Sequence, residues 1–173
     1  MNDKSLRLFF AIPCPAAQAE AICHWRDSQQ LPGRPVPQAN LHLTLAFLGA
    51  QPPEALEPLQ RLAGALRCAP FELRLDRLDS IGHGFICLRP QHTPEALEQL
   101  ADRLKQALFN QGLIPLDSRP FLPHLTLLRQ SPVPACAVTP RFAWPVERFG
   151  LYVSESAPDG VHYRELARWP LTE

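Results

Sequence analysis

The sequence predicts an α+β fold of two pseudo-symmetric lobes, each an antiparallel sheet with helices on its outer face. Three observations carry this. The stretch Asn40 to Gly49 alternates with period two: Leu41, Leu43, Leu45 and Phe47 fall on one face, Asn40, His42, Thr44 and Ala46 on the other, as in a strand with one buried side. A near copy follows at Leu122 to Arg129, with Leu125 and Leu127 on the apolar face and His124 and Thr126 opposite. The two copies lie close to half a chain apart, each after a strand and a helix. A pseudo-two-fold axis would bring the two polar strand faces together across a central cleft. The expectation is a single bilobal domain over residues 1–173, with approximate halves 1–80 and 81–173.

The elements follow in order. Leu6 to Ile12 is an apolar run bounded by Pro13 and Pro15, a strand. Ala16 to Ser28 reads as a helix, with Pro15 suited to its first turn; Ala19, Ile22, Cys23 and Arg26 share a face, Arg26 reaching to solvent. Pro32, Gly33, Pro35 and Pro37 make a loop. The first alternating strand stops at Gly49. Pro52 and Pro53 open a helix with the stripe Leu56, Leu59, Leu62, Ala63 and Leu66. Phe71, Leu73 and Leu75 alternate with charged residues as a half-exposed strand, and Gly82-His83-Gly84 is a turn with a solvated His83. Phe85 to Leu88 is a strand. Thr93 is placed to cap a third helix, with Pro94 in its first position, Leu97, Leu100, Leu104 and Leu108 on its buried face and Gly112 at its end. A loop through Pro115 and Pro120 leads to the second alternating strand. Ser131 to Pro140 is a proline-rich loop over the cleft. Phe149, Leu151 and Val153 form a strand, paired with Val161 to Leu166 across the turn Pro158-Asp159-Gly160.

At 173 residues, with 46% hydrophobic and 20% charged residues, the chain has the composition of a soluble globular domain that needs no covalent staples. Lys plus Arg equals Asp plus Glu, 17 of each. Zero net charge argues against coating long nucleic acid by backbone neutralisation, though not against a local basic pocket. Cys14, Cys23, Cys68, Cys87 and Cys136 are odd in number and show no C-x-x-C spacing, so neither disulfide framework nor zinc site is expected, and most read as small buried hydrophobes. The start carries no secretory signal, and no run approaches the 18 apolar residues of a membrane span. These features point to a cytoplasmic monomer without membrane attachment.

The repeated unit is His-Leu-Thr-Leu. With 6 His among few Thr, chance supplies about 0.17 His-x-Thr triplets in such a chain, so two in matching strand settings indicate function rather than packing. Two imidazoles across a cleft can be one neutral and one protonated near pH 7, which suits concerted general-base and general-acid catalysis on opposite sides of a phosphorus. The hydroxyls of Thr44 and Thr126 can donate to non-bridging phosphate oxygens. No Asp or Glu lies in either motif and no Cys/His cluster is evident, so no metal and no cofactor are implied.

Both tetrapeptides match the HxTx motifs of the 2H phosphoesterase superfamily. Arg7-Leu8-Phe9-Phe10-Ala11-Ile12, Asn40 to Gly49 and Arg119 to Arg129 more closely resemble the bacterial RNA 2′,3′-cyclic phosphodiesterases, also called 2′-5′ RNA ligases, and the resemblance covers essentially the whole chain. It implies metal-independent hydrolysis of a terminal RNA 2′,3′-cyclic phosphate, or of a small cyclic-phosphate nucleotide, to a 2′-phosphomonoester. By residue, it implies His42 as proton donor to the departing 3′ oxygen, His124 as proton acceptor from water, and Thr44 and Thr126 as phosphate ligands. Arg129 would add positive charge, and Phe9 or Phe10 would stack on the terminal base. Two alternatives stay open: a non-catalytic module binding an RNA end or nucleotide, and an enzyme of the same family acting on 2′-5′ linkages.

Overall fold

The computed structural model describes residues 4–114, 119–132 and 139–173. Pro115, Cys136 and most of the 131–140 loop lie outside the described residues. In chain order the elements are β1 (Leu6–Pro13), α1 (Ala16–Ser28), β2 (Arg34–Pro35), β3 (His42–Gln51), α2 (Leu56–Gly64), β4 (Phe71–Leu75), β5 (Arg77–Ile81), β6 (Phe85–Arg89), α3 (Glu95–Asn110), β7 (Leu125–Arg129), β8 (Phe142–Val146), β9 (Arg148–Ala157) and β10 (Gly160–Pro170). The α+β class with antiparallel sheets is the one the sequence predicts.

The strands run β10-β9-β1-β3-β7-β6-β5 in one antiparallel path, with β2 on β7 and a separate pair β4-β8. The path is thinnest in its middle, where β3 meets β7 through the single pair Leu43↔Leu125. On one side of that pair lie β1, β9 and β10; on the other lie β6 and β5. The sheet therefore does not divide into the halves 1–80 and 81–173. The reason is visible in β1: Leu8, Phe9, Phe10, Ala11 and Ile12 are all buried, so both faces of this strand are covered and both its edges are filled. β3 fills one edge, and β9, from the far end of the chain, fills the other. Reciprocally, β5, from the first half, pairs with β6 across the Gly82-His83-Gly84 turn.

The helices cover the apolar face of the sheet. Ile22 of α1, Leu59 of α2 and Leu97, Leu100, Leu104 and Leu108 of α3 are fully buried, at the spacing of one helix stripe each. α3 starts one residue later than the sequence suggests. Pro94 occupies the cap position, Thr93 makes no cap, and Glu95 and Glu98 in the first turn meet the positive helix end instead. Its end matches the glycine signal: Gly112 adopts φ 68° and the Leu113 amide donates to the Leu108 carbonyl at 3.0 Å, a left-handed cap that closes the last turn.

Three local readings change. Asn40 belongs to a 3-10 turn over Gln38–Asn40, so β3 begins at His42. Within β3 the pairing with β1 slips twice, between Leu8 and Phe9 and between Phe10 and Ala11. These bulges break the alternation: Leu48 takes the core position and Phe47 turns to the opposite face, 72% exposed. Arg26 does not reach solvent. It is buried, donating from Nη1 to the carbonyls of Val36 at 2.7 Å and Leu127 at 3.4 Å and from Nε to Asp27 at 3.0 Å. It ties α1 to β7 and to the chain entering β3. The strands β2, β5 and β8 are not apparent in the sequence pattern, being short or interrupted by proline.

Replacing Arg26 by Met keeps most of the side-chain volume and leaves the Val36 carbonyl without its donor. The expected loss is about 1–3 kcal/mol of unfolding free energy, read from urea denaturation; an unchanged midpoint would show that water satisfies that carbonyl.

Candidate active site

The site is built outward from the Leu43–Leu125 pair. Both leucines are fully buried in the core, so their chain neighbours point to the opposite face. The pairing is antiparallel, so one step either way sets His42 near Thr126 and Thr44 near His124. The two histidines fall on a diagonal, about 7–8 Å apart at the backbone.

Each imidazole is held in the same way, by the carbonyl two residues before it. His42 Nδ1–H donates to the Asn40 carbonyl at 2.7 Å, and His124 Nδ1–H donates to the Leu122 carbonyl at 2.7 Å. A carbonyl only accepts, so Nδ1 carries the proton in both rings and Nε2 is the working nitrogen. Asn40 is itself buried and fixed, its Nδ2 donating to the Val161 carbonyl of β10 at 2.8 Å. The two threonines differ. Thr44 Oγ1 lies 2.9 Å from His42 Nε2, so its hydroxyl donates to the neutral ring. Thr126 Oγ1 instead accepts from the Cys87 thiol at 3.7 Å. Burial pushes the Cys87 thiol up to about 11, which keeps it a donor, and Thr126 can then direct its own proton into the cleft.

Aromatic rings wall the His42 side. Phe9 packs on the His42 ring at 5.0 Å and stacks on Tyr152 at 5.5 Å, and Tyr163 meets His42 edge-on at 5.0 Å. The tyrosine hydroxyl accepts from Arg129 Nη2 at 3.4 Å, linking β10 to β7 across the cleft. Phe10 points the other way, into the core beside Phe149 and Trp169. Phe9 is therefore the cleft-facing member of the pair, buried behind His42 and not presented as an open stacking face.

His42, Thr44, His124, Thr126 and Arg129 all line one cleft of about 810 Å³. Arg7 lines it too, and among the described residues no carboxylate does, although the chain has as many acids as bases. Among the described residues no three His, Cys, Asp or Glu side chains gather as a metal site. The His42 pKa is lowered, first by burial, against the pull of the Asn40 carbonyl, and further by the positive charge of His124 and Arg129. The cleft by itself thus favours the neutral His42 ring, and an anion placed there offsets that cost. Five further residues complete the site that sequence alone does not select: Asn40, Phe47, Cys87, Tyr163 and Arg7. Asn40 has a signal in its position two before His42. Tyr163 and Cys87 have none, because local pattern does not reveal their strand partners.

In the ligand-free protein the His42 ring is expected to titrate below 6.5, and Arg129→Met to move it upward. Proton–nitrogen NMR of the imidazoles against pH reads both, and a titration at or above 6.5 would contradict the burial argument. As pH falls below about 6.5 the unfolded ring takes up a proton before the folded one, so this residue subtracts stability from that pH downward until the folded ring is protonated too.

Comparison with known proteins finds relatives over nearly the whole chain. The model of the 2′-5′ RNA ligase superfamily matches residues 13–157. The chain is 41% identical to the RNA 2′,3′-cyclic phosphodiesterase of Escherichia coli (strain K12), over 96% of this chain and 97% of that one. It is 35% identical to the RNA 2′,3′-cyclic phosphodiesterase of Thermus thermophilus, over 96% and 90%. The crystal structure of E. coli LigT complexed with 3′-AMP superposes with a TM-score of 0.90 at 39% identity, covering 98% of this chain and all of that one. With a family model matched over most of its residues and a full-length relative at 41% identity, the chain belongs to the 2′-5′ RNA ligase superfamily.

Proposed function

We propose that this protein hydrolyses the terminal 2′,3′-cyclic phosphate of RNA to a 2′-phosphomonoester by two-histidine acid–base catalysis. The observation that carries the reading is the pair of imidazoles set diagonally about Leu43–Leu125. Each has Nδ1 tied to a carbonyl, which leaves Nε2 as the working nitrogen, shared with the Thr44 hydroxyl in His42, toward a cleft whose described lining holds two arginines and no carboxylate. Full-length relatives named for this activity support it.

The steps are these. The cyclic phosphate enters between the rings, and its negative charge raises the proton affinity of His42. Water attacks phosphorus and gives a proton to His124 Nε2. On the opposite side the bond to the 3′ oxygen breaks, and that oxygen takes the proton of His42 Nε2. Product leaves with a 2′-phosphate and a 3′-hydroxyl; a proton passes from His124 to solvent and another returns to His42. Thr126 donates to a non-bridging oxygen, Thr44 joins it once His42 is protonated and no longer accepts from it, and Arg129 offsets charge on the pentacoordinate phosphorus. The same reading makes the protein a cytoplasmic monomer acting on RNA termini, in keeping with Cys14, Cys23, Cys68 and Cys87 standing unpaired.

His42→Ala and His124→Ala are each expected to lower turnover of an oligoribonucleotide 2′,3′-cyclic phosphate by about 10²–10⁴-fold; wild-type turnover by His124→Ala would end the proposal. Phosphorus NMR of the product is expected to show a 2′-phosphate, whereas a 3′-phosphate would reverse the docking of the ribose. Activity is expected to persist through exhaustive chelation, and loss restored by one divalent ion would point instead to metal-assisted hydrolysis.

A further inference from the structure

We infer that the cleft carries a second phosphate subsite, formed by Arg7 and Ser154, that receives the 5′-linked phosphate of the terminal nucleotide; this rests on the hydrolase reading above. Strand register places the two residues together. Arg7 pairs with Ser154 between β1 and β9, and Ser154 pairs with Tyr163 between β9 and β10. This makes a cross-strand row, with neighbours about 4.5–5.5 Å apart, and all three residues line the cleft. Arg7 is exposed, and its guanidinium has no hydrogen-bond or ion-pair partner among the described residues. An unpaired cation beside a hydroxyl, in a cleft whose described lining has no carboxylate, suits a phosphate oxygen.

It is a separate subsite because of its distance from the histidines. Thr44 sits opposite Ala11 on β1, and Arg7 lies four residues further along that strand, about 13 Å at strand rise. A single phosphate held by the two histidines does not also reach Arg7. The sugar of one nucleotide plus an extended arginine side chain covers the gap.

The cleft also has a direction. Counting five residues from each motif histidine gives Phe47 on the first strand and Arg129 on the second. The backbone is nearly two-fold here, but the first side offers an exposed ring and the second a guanidinium. Phe47 faces the same cleft as Arg7 and is the more open aromatic surface beside β1. The terminal base stacks on Phe47, which turns the 5′ carbon of its ribose toward Arg7 and Ser154. The preferred substrate is then a cyclic-phosphate nucleotide bearing a phosphate at its 5′ position, supplied either by an RNA chain or by a 5′-phosphorylated mononucleotide.

The test compares three substrates: a nucleoside 2′,3′-cyclic phosphate with a free 5′-hydroxyl, the same with a 5′-phosphate, and a dinucleotide ending in the cyclic phosphate. Wild type is expected to show a KM about tenfold lower for the two phosphate-bearing substrates, with similar kcat. In Arg7→Ala this ratio falls close to one, while Arg7→Lys keeps part of it. Phe47→Ala raises KM for all three and preserves the ratio. The slope of log KM against log salt for the dinucleotide drops by about 0.7 in Arg7→Ala, the loss of one single-strand phosphate contact. If only the dinucleotide gains, the source is an RNA chain; if the 5′-phosphorylated mononucleotide gains equally, the 5′-phosphate is sufficient. A wild-type ratio of one, or a ratio unmoved by Arg7→Ala, overturns the subsite. Failure of wild type to hydrolyse any of the three substrates overturns the hydrolase reading instead. The subsite is then decided by calorimetric affinities of the 2′-phosphate nucleotides with and without a 5′-phosphate, which Arg7→Ala is expected to equalise.

Discussion

One backbone contact governs this molecule, the antiparallel meeting of Leu43 and Leu125. A wider β3–β7 ladder would make a continuous sheet with a flat face. With no ladder at all, the two motifs would depend on loops for their spacing. A single pair does something different. It fixes the register of both motifs at their centres while the strands diverge on either side, and the divergence opens the cleft. The two leucines are fully buried, so the register is held by core packing, and a slip of either strand by one residue would carry its histidine into that core. The fully buried Leu127 and the Arg26 bond to its carbonyl brace β7 from behind. The site is thus a consequence of packing on the opposite face of the same strands.

The proposed mechanism asks a near-symmetric backbone to yield an acid and a base. The difference comes from what surrounds each motif. His42 packs against Phe9 and Tyr163, two rings brought by strands of its own side, and burial lowers its proton affinity. Thr44 is engaged by that ring, whereas Thr126 accepts from a thiol and keeps its proton free. Arg129 stands on the second motif, yet its charge is felt by His42, and its contact with Tyr163 spans the opening. By themselves these cations act against a protonated His42. In the proposed mechanism an entering phosphate would change the sign of the balance, so that the acid is charged when there is a phosphate for it to serve.

Most of this is legible where the sequence repeats a pattern. Period-two alternation locates both motif strands, and the 3.6-residue stripes locate all three helices, α1 over the same span as observed. His42, Thr44, His124, Thr126 and Arg129 are each legible because a face of a strand is a local property. Long-range pairing is less so. Nothing in β1 says that its second neighbour is β9, except that residues on both of its faces are apolar, the mark of a central strand. Tyr163 enters the site only through that pairing. Strict alternation carried through to Gly49 assigns Phe47 to the core, and two bulges displace it. Charge alone places Arg26 in solvent, but two carbonyl acceptors inside the protein hold it there instead.

The bulges in β3 show how such misreadings relate to function. A regular strand would have buried Phe47 with Leu43 and Leu45 and left the cleft floor lined by small and polar residues. Slipping the register exposes one aromatic ring beyond Thr44 while Leu48 takes over its place in the core. The core loses little, since one large apolar side chain replaces another. The cleft gains a ring where its two-fold counterpart has Arg129. An exposed phenylalanine costs free energy in water, a cost that stacking on a base would recover in the proposed complex. Departure from the ideal strand and departure from internal symmetry therefore occur at one residue, and under the proposed subsite together they would let a cleft built from two similar motifs distinguish the base side of its ligand from the phosphate side.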